Sequence, residues 1–272
     1  QNNKYNLEIR RCLESIVKKF NGDKLSEEWY HFMTYTKQVW FANGIHHHYG
    51  MEKFTPQFTK TYFSSLLEKT GSSISDDALN VIFNKDLAKK RKVKDPNLDM
   101  IISSANNFYG DGVTQKMVND YYKAKIDTLD PRPIEYGLNS TLVLENDSLY
   151  EDVWKSGGKY GEAIDKIIYN LKKGAEVAEN EEQKNAINKL IEYYQTGDLK
   201  TWDEYCILWA KSTNGDIDWI NGFIEVYGDA IGKRASYESI VQITDFEASM
   251  QMQVVTQNAQ WFEDHSPLIE SH

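Results

Sequence analysis

Apolar residues recur at intervals of three or four positions through most of this chain, and that periodicity is typical of amphipathic helices. The predicted helices span roughly residues 6–20, 27–43, 56–70, 76–83, 115–125, 160–178, 181–194 and 202–209, and a last one spans 246–264. Hydroxyl side chains that can cap a helix precede five of them, namely Ser26, Thr55, Ser75, Thr114 and Thr201. Pro56, at a first helical position, strengthens the second of these starts. The chain is therefore expected to be mainly helical.

The last predicted helix follows Thr244 or Asp245, either of which can act as its N-cap. Its apolar positions, which we expect to be buried, are Phe246, Met250, Val254, Trp261 and Phe262. We expect one main lobe, which this helix leaves.

Alternation with a period of two, the pattern of a strand, occurs at Ser140–Glu145 and on both sides of a tight loop within 216–243. Strict alternation would place Ile217, Trp219, Asn221, Phe223, Glu225 and Tyr227 on one face of the first strand of this hairpin. Glu225 and Tyr227 would then point the same way, and Glu238 lies on the second strand, a layout suited to a polar ligand. The predicted fold is α+β and predominantly helical, with a small antiparallel β-sheet or barrel element that includes the 216–243 hairpin.

The net charge of −10 argues against nucleic-acid binding, which usually needs a basic excess. It is compatible with a cationic ligand such as the free amino end of a peptide, although acidity can also serve solubility alone. Six of the ten residues from Lys85 to Lys94 are basic, and we interpret this run as a solvated face. No run of 18 or more apolar residues predicts a membrane span. The chain starts at Gln1 and shows no signal peptide, so its sequence does not fix a compartment.

The residues that most often bind metals do not form a recognisable site. Cys12 lies at the spacing of buried apolar residues on a helix. Cys12 and Cys206 are the only cysteines, and two cysteines do not make a disulfide framework or a thiolate zinc site. His46, His47 and His48 are adjacent, and adjacent side chains diverge, so a loop that lines a cleft or caps a helix is expected there instead. No His-Glu pair, phosphate-binding loop or Gly-x-Ser-x-Gly elbow occurs.

Two segments resemble the dipeptidyl peptidase III enzymes, the M49 metallopeptidases, in the form found in bacteria. The first is Gly222-Phe-Ile-Glu-Val-Tyr-Gly-Asp-Ala-Ile-Gly-Lys-Arg-Ala-Ser-Tyr-Glu238, which is similar to a family motif that reads roughly Gly-Phe-Ile-Glu-Ser-Tyr, then Asp, Gly and an aromatic-Glu pair. The second is Trp40-Phe-Ala-Asn-Gly-Ile-His-His-His-Tyr-Gly-Met-Glu-Lys-Phe-Thr-Pro56, which is similar to a family segment that ends in an aromatic-Gly pair and a Phe-x-Pro. Val226 stands where many relatives have Ser, a change expected to matter little if the side chain faces the core.

The resemblance implies a two-lobed zinc exopeptidase that releases dipeptides from the N-termini of oligopeptides. The family's zinc helix, His-Glu-x-x-Gly-His or similar, is absent, so the chain is expected to be a fragment. Residues 1–244 would form the non-zinc, substrate-binding lobe, and 245–272 the helix that leads to a missing C-terminal zinc lobe of the same chain. Zn²⁺ is expected in the full-length enzyme and none on this fragment, which would be inactive alone.

The resemblance also implies roles for four residues. Glu225 falls on the glutamate that binds the ammonium group of the substrate, and Glu238 on a second acid near that subsite. Tyr227 falls on the tyrosine that hydrogen-bonds the substrate and helps to stabilise the reacting carbonyl. Tyr49 falls on an aromatic residue that walls the N-terminal subsite. Each is named from this match, since an inward Glu or Tyr near a strand end is otherwise often a core or capping residue.

Two alternatives to the enzyme remain open from the sequence. One is a non-catalytic peptide-binding or interaction module with a helical scaffold, which would use the same cleft. The other is a plain helical scaffold whose partner the sequence does not identify.

Overall fold

The computed structural model describes residues 3–105 and 107–267. Helices dominate it, and its strands form two small antiparallel hairpins, which confirms the predicted α+β, predominantly helical fold. The chain divides into two compact units. Unit 1 runs to Lys125 and adds Thr141–Glu151 and Tyr227–Lys233; unit 2 holds Ile126–Ser140, Asp152–Val226 and the chain from Arg234 onward.

Within the described residues, unit 1 contains six helices. They are α1 (Asn6–Lys19), α2 (Glu27–Ala42), α3 (Lys60–Thr70), α4 (Asp76–Phe83), α5 (Met100–Ser103) and α6 (Gln115–Lys123). The predicted N-caps Ser26, Ser75 and Thr114 are confirmed, because each side chain accepts a backbone N–H of the first turn. The predicted start of α3 at Thr55 is wrong.

Helix α3 is capped by Thr59, whose hydroxyl accepts the Tyr62 N–H at 3.1 Å. The preceding segment contains no helix and carries Phe58 into the core, where its side chain is 4% exposed. A proline-containing start was therefore overridden by tertiary packing of one aromatic ring.

The core of unit 1 is aromatic. Phe32, Phe58, Phe63 and Phe83 lie with neighbouring ring centroids 5.7–6.3 Å apart, within the range of favourable aromatic pairs. Cys12 is buried beside them, as predicted, and desolvation raises the pKa of its thiol to about 11. The thiol is therefore a neutral core group at physiological pH.

Strands β1 (Ser140–Glu145) and β2 (Ser148–Val153) form the first hairpin. Strand β1 was predicted, and β2 was not. Asn146 and Asp147 form the connection with positive φ angles of 48° and 59°, which the favoured two-residue hairpin turn requires.

Unit 2 contains three consecutive helices, α7 (Gly161–Glu176), α8 (Glu181–Thr196) and α9 (Leu199–Lys211). The prediction that Thr201 caps α9 is wrong, because the N-cap is Asp198, which accepts the Lys200 N–H at 3.0 Å. Gly197 ends α8 in the left-handed conformation, so the chain turns at once and α9 begins three residues earlier than expected.

Strands β3 (Ile217–Glu225) and β4 (Ser236–Ile243) form the second hairpin. In unit 2, Asn221 on β3 accepts the Tyr194 hydroxyl at 2.6 Å, and Trp219 donates to the Tyr205 hydroxyl at 3.0 Å. A Cβ atom at Gly222 would lie 2.3 Å from the Trp202 ring, so only glycine allows this close packing. The β3–β4 hairpin is thus fixed to α8 and α9 by polar and aromatic contacts.

The chain then forms α10 (Phe246–Gln257) and α11 (Ala259–Asp264), neither of which has a buried residue. The prediction that their apolar positions are buried is wrong: exposure is 52–65% for Phe246, Met250, Val254, Trp261 and Phe262. Helical periodicity identifies the apolar side of a helix, but burial also needs a partner. Within 3–105 and 107–267, no helix is long and apolar enough to cross a lipid bilayer.

Candidate functional site

The β3–β4 ladder contains a bulge just before Glu225. Phe223 pairs with Tyr237, and the next pair joins Glu225 to Ser236, so β3 has one extra residue, Ile224. An extra residue reverses the alternation of side chains beyond it. The predicted common face of Phe223 and Glu225 is therefore wrong.

The bulge instead places Glu225 and Glu238 on one face of the hairpin. Glu225 lies opposite Ser236, and Ser236 and Glu238 are two residues apart on a regular strand. Diagonal neighbours of this kind are about 7–8 Å apart. Both glutamates are half-buried. A cation that reached both carboxylates could donate a charge-assisted hydrogen bond to each of them.

Tyr227 is not part of the strand, because β3 ends at Glu225. It lies in a turn of unit 1 and is 59% exposed, so the strand rule that predicted its direction does not apply. Its backbone carbonyl accepts a hydrogen bond from the ammonium group of Lys92. The exposed phenol is available to donate a hydrogen bond to a ligand.

Tyr49 lies in the loop after α2, in unit 1, and is 82% exposed. Its ring packs edge-on against His48 with the centroids 4.6 Å apart, and its N–H donates to Nδ1 of His47 at 3.3 Å. The structure thus brings Glu225 and Glu238 together in unit 2, and it places Tyr49 and Tyr227 on separate segments of unit 1.

The three adjacent histidines line a small pocket of unit 1. The His46 ring is hydrogen-bonded to the Ala88 carbonyl at 2.7 Å, and burial lowers the pKa of its imidazole. His47 accepts the Gly50 N–H at 2.9 Å, so its Nδ1 organises the loop. Throughout the described ranges, no three or more His, Cys, Asp or Glu side chains are grouped so that they could hold a metal ion.

Two buried charged residues in the β3–β4 connection, Asp229 and Arg234, were not identified as important from the sequence. Both are 0% exposed. In unit 1, Asp229 accepts the Tyr109 hydroxyl and the Lys233 N–H, each at 2.8 Å. In unit 2, Arg234 donates to the Gly137 carbonyl at 2.6 Å and to Oγ of Ser140 at 2.8 Å. The signal was present: Asp229 follows a glycine in a turn, where its side chain can accept nearby N–H groups.

Comparison with known proteins extends beyond the motifs. Peptidase family M49 matches residues 99–271 by its sequence profile. Dipeptidyl peptidase 3 of Dictyostelium discoideum is 30% identical over 105 residues, which are 39% of this chain and 15% of that protein. Dipeptidyl peptidase 3 of Rattus norvegicus is 22% identical over 103 residues, 38% of this chain and 14% of that protein. The chain therefore matches only a small part of the length of these relatives.

A solved structure supports the fold. The structure of DPP III from Caldithrix abyssi aligns with 99% of this chain and 40% of its own, with a TM-score of 0.55 and 16% sequence identity. At that identity the likeness concerns the fold. The profile match covers more than half of the chain and includes the whole β3–β4 hairpin. The chain belongs to peptidase family M49.

Proposed function

We propose that this chain supplies the substrate-binding lobe of a zinc-dependent dipeptidyl aminopeptidase, which releases N-terminal dipeptides from oligopeptides. The observation that carries the proposal is the pair of carboxylates, Glu225 and Glu238, that the bulge places on one face. A paired acidic site selects a positively charged group, and every unblocked peptide carries one at its N-terminus. Membership of a peptidase family supports a peptide as the ligand.

In this proposal Glu225 binds the substrate's ammonium group, and Glu238 adds negative charge beside it. Because both glutamates are half-buried, hydrogen bonds to the ammonium group would be less screened than at an open surface. Tyr227 donates its phenolic hydrogen to the oxygen of the reacting carbonyl as negative charge develops there. Tyr49, whose ring is exposed, walls the N-terminal subsite.

We also propose how the chain is divided. Residues 1–244 serve as the substrate-binding lobe, and 245–272 lead toward a zinc lobe supplied by another part of the same protein. In this proposal the zinc-binding residues belong to that other part. The exposed large apolar side chains of α10 and α11 are consistent with this division, because they could pack against such a part. The chain alone would bind peptide without cleaving it.

The test is dipeptide release by the protein produced at full length. Glu225→Gln keeps the shape of the side chain and removes its charge, and we expect kcat/KM to fall about 10- to 100-fold for a peptide with a free N-terminus. An N-acetylated peptide lacks the ammonium group, so the same substitution should change its already low rate less than about twofold. Glu145→Gln, at an exposed position on β1, is the matched control and should have no effect.

Wild-type release by Glu225→Gln would contradict the ammonium role. Peptide binding with no release by the full-length wild-type protein would instead favour the non-catalytic interaction module.

A further inference from the structure

The turn that carries Tyr227 is fixed at two points by unit 1. Residues 226–235 connect β3 to β4, and the ladder between those strands does not reach Tyr227. An exposed side chain on an unpaired turn would sample several directions. Two hydrogen bonds restrain this turn, one at the backbone of Tyr227 itself and one two residues later.

The first hydrogen bond comes from Lys92, whose ammonium group donates to the backbone carbonyl of Tyr227. Lys92 is half-buried, unlike the exposed Lys94 of the same basic run. The backbone on both sides of Lys92 is anchored. Arg91 exchanges two hydrogen bonds with Ala105, at 3.0 and 2.8 Å, and the Val93 N–H donates to Ser104 Oγ at 3.0 Å. The ammonium group therefore extends from a fixed base.

The second hydrogen bond involves Asp229, whose buried carboxylate accepts the Tyr109 hydroxyl at 2.8 Å. Tyr109 is itself fixed, because its neighbours exchange backbone hydrogen bonds with Leu142 on β1: Gly110 N–H to the Leu142 carbonyl at 2.8 Å, and Leu142 N–H to the Phe108 carbonyl at 3.3 Å. The turn around Tyr227 is thus restrained by the hydrogen bond from Lys92 to the Tyr227 carbonyl and by the hydrogen bond from Tyr109 to the Asp229 carboxylate.

We infer that Lys92 is a positioning residue for Tyr227: its bond to the Tyr227 carbonyl sets the direction of the phenol toward the reacting carbonyl oxygen. This inference rests on the proposed role of Tyr227. Lys92 contacts the main chain of the turn and acts only through it. A misdirected hydrogen bond to the reacting carbonyl lowers the rate of the chemical step, so the effect of Lys92 should appear in kcat, with little change in KM.

The experiment is a double-mutant cycle on the full-length protein, measured as dipeptide release. Tyr227→Phe should lower kcat about 10²- to 10³-fold. Lys92→Met, which keeps an apolar stem and loses the ammonium group, should lower kcat about tenfold with KM changed less than about twofold. In the Tyr227→Phe background, Lys92→Met should change kcat by less than about twofold, because the phenol it directs is gone.

Two control variants separate positioning from charge and from folding. Lys92→Arg keeps a donor and should retain kcat within about threefold of wild type. Lys94→Met removes the same charge from an exposed site two residues away and should leave both parameters unchanged.

Three results would overturn the inference. A Lys92→Met variant with wild-type kcat, or one whose effect multiplies with that of Tyr227→Phe, would show that Lys92 does not act through Tyr227 while leaving the proposed function intact. Wild-type kcat in Tyr227→Phe would remove the role of Tyr227 itself, and the inference with it, although the response of Glu225→Gln would still test the ammonium site.

Discussion

The two hairpins of this chain join their strands in contrasting ways. Strands β1 and β2 are connected by two residues, Asn146 and Asp147, whose left-handed backbone is all that the turn needs. Strands β3 and β4 are connected by residues 226–235, which follow the bulge in β3 and contain two fully buried charged side chains. The short connection is held by its own dihedral angles, and the long one by polar groups from distant parts of the sequence.

This contrast teaches that the length of a loop does not measure its order. A two-residue turn leaves little room for a ligand-binding side chain, whereas a long connection can present one if buried hydrogen bonds hold it in place. Here the candidate residue Tyr227 is on the long connection, which is consistent with the tendency of loops on a rigid scaffold to carry function.

The largest loss of stability is expected when the buried carboxylate of the long connection is removed. Asp229→Ala removes a fully buried carboxylate that accepts hydrogen bonds from the Tyr109 hydroxyl and the Lys233 N–H. We expect the free energy of unfolding to fall by about 3 kcal/mol. Urea denaturation followed by tryptophan fluorescence measures it as a lower midpoint at an unchanged slope. A loss below about 1 kcal/mol would mean that the connection is held by other contacts.

A smaller effect is expected in the short connection. Asn146 has a φ of 48°, and alanine is strained in that region, so Asn146→Ala should lower the free energy of unfolding by about 1 kcal/mol. Asp147→Gly is the matched control, since glycine adopts its φ of 59° without cost and should be neutral or slightly stabilising. The same urea midpoints report both variants, and equal losses would refute the role of backbone conformation.

The smallest effect concerns pH at the base of the β3–β4 hairpin. The exposed carboxylate of Glu179 accepts the Gln183 side-chain amide at 2.8 Å and the Asp216 N–H at 2.9 Å, and these bonds hold its pKa below the usual value. A lowered pKa stabilises the folded state above the ordinary pKa of glutamate, and this stabilisation is lost as the pH falls through the folded-state value.

We therefore expect the hydrogen-exchange protection factor of the Ile217 amide, which also donates to Glu179, to decrease between pH 6 and pH 3. In Glu179→Gln the factor should be lower at pH 6 and nearly independent of pH. An unchanged pH dependence in that variant would assign the effect to another group.

Local chemistry made much of the fold predictable from the sequence. Ser26 and Ser75 cap helices where expected, because a cap needs only a side-chain oxygen and the next turn of backbone. Strand β2 was missed although the Asn146-Asp147 pair is a hairpin signal. The α3 start was misplaced because packing of Phe58 outweighed a local proline signal.

The candidate site was less predictable than the fold. The family resemblance is confirmed by the profile match, and it selected Glu225, Tyr227, Glu238 and Tyr49, whose roles stay predictions. The face of the strand on which Glu225 lies could not be predicted in the same way. Alternation assigns a face only while the ladder is regular, and nothing in the residue types marks Ile224 as the extra residue of the bulge. Exposure of α10 and α11 was equally hidden, since it depends on what packs against them.

The bulge has a consequence for how this motif is compared between proteins. An alignment column records identity, but the side of a sheet on which a residue lies is a matter of parity, counted from the nearest ladder pair. A homologue that lost one residue between Gly222 and Glu225 would keep a glutamate in the same column and turn its carboxylate to the opposite side. Insertions and deletions near this position therefore carry more functional information than substitutions do.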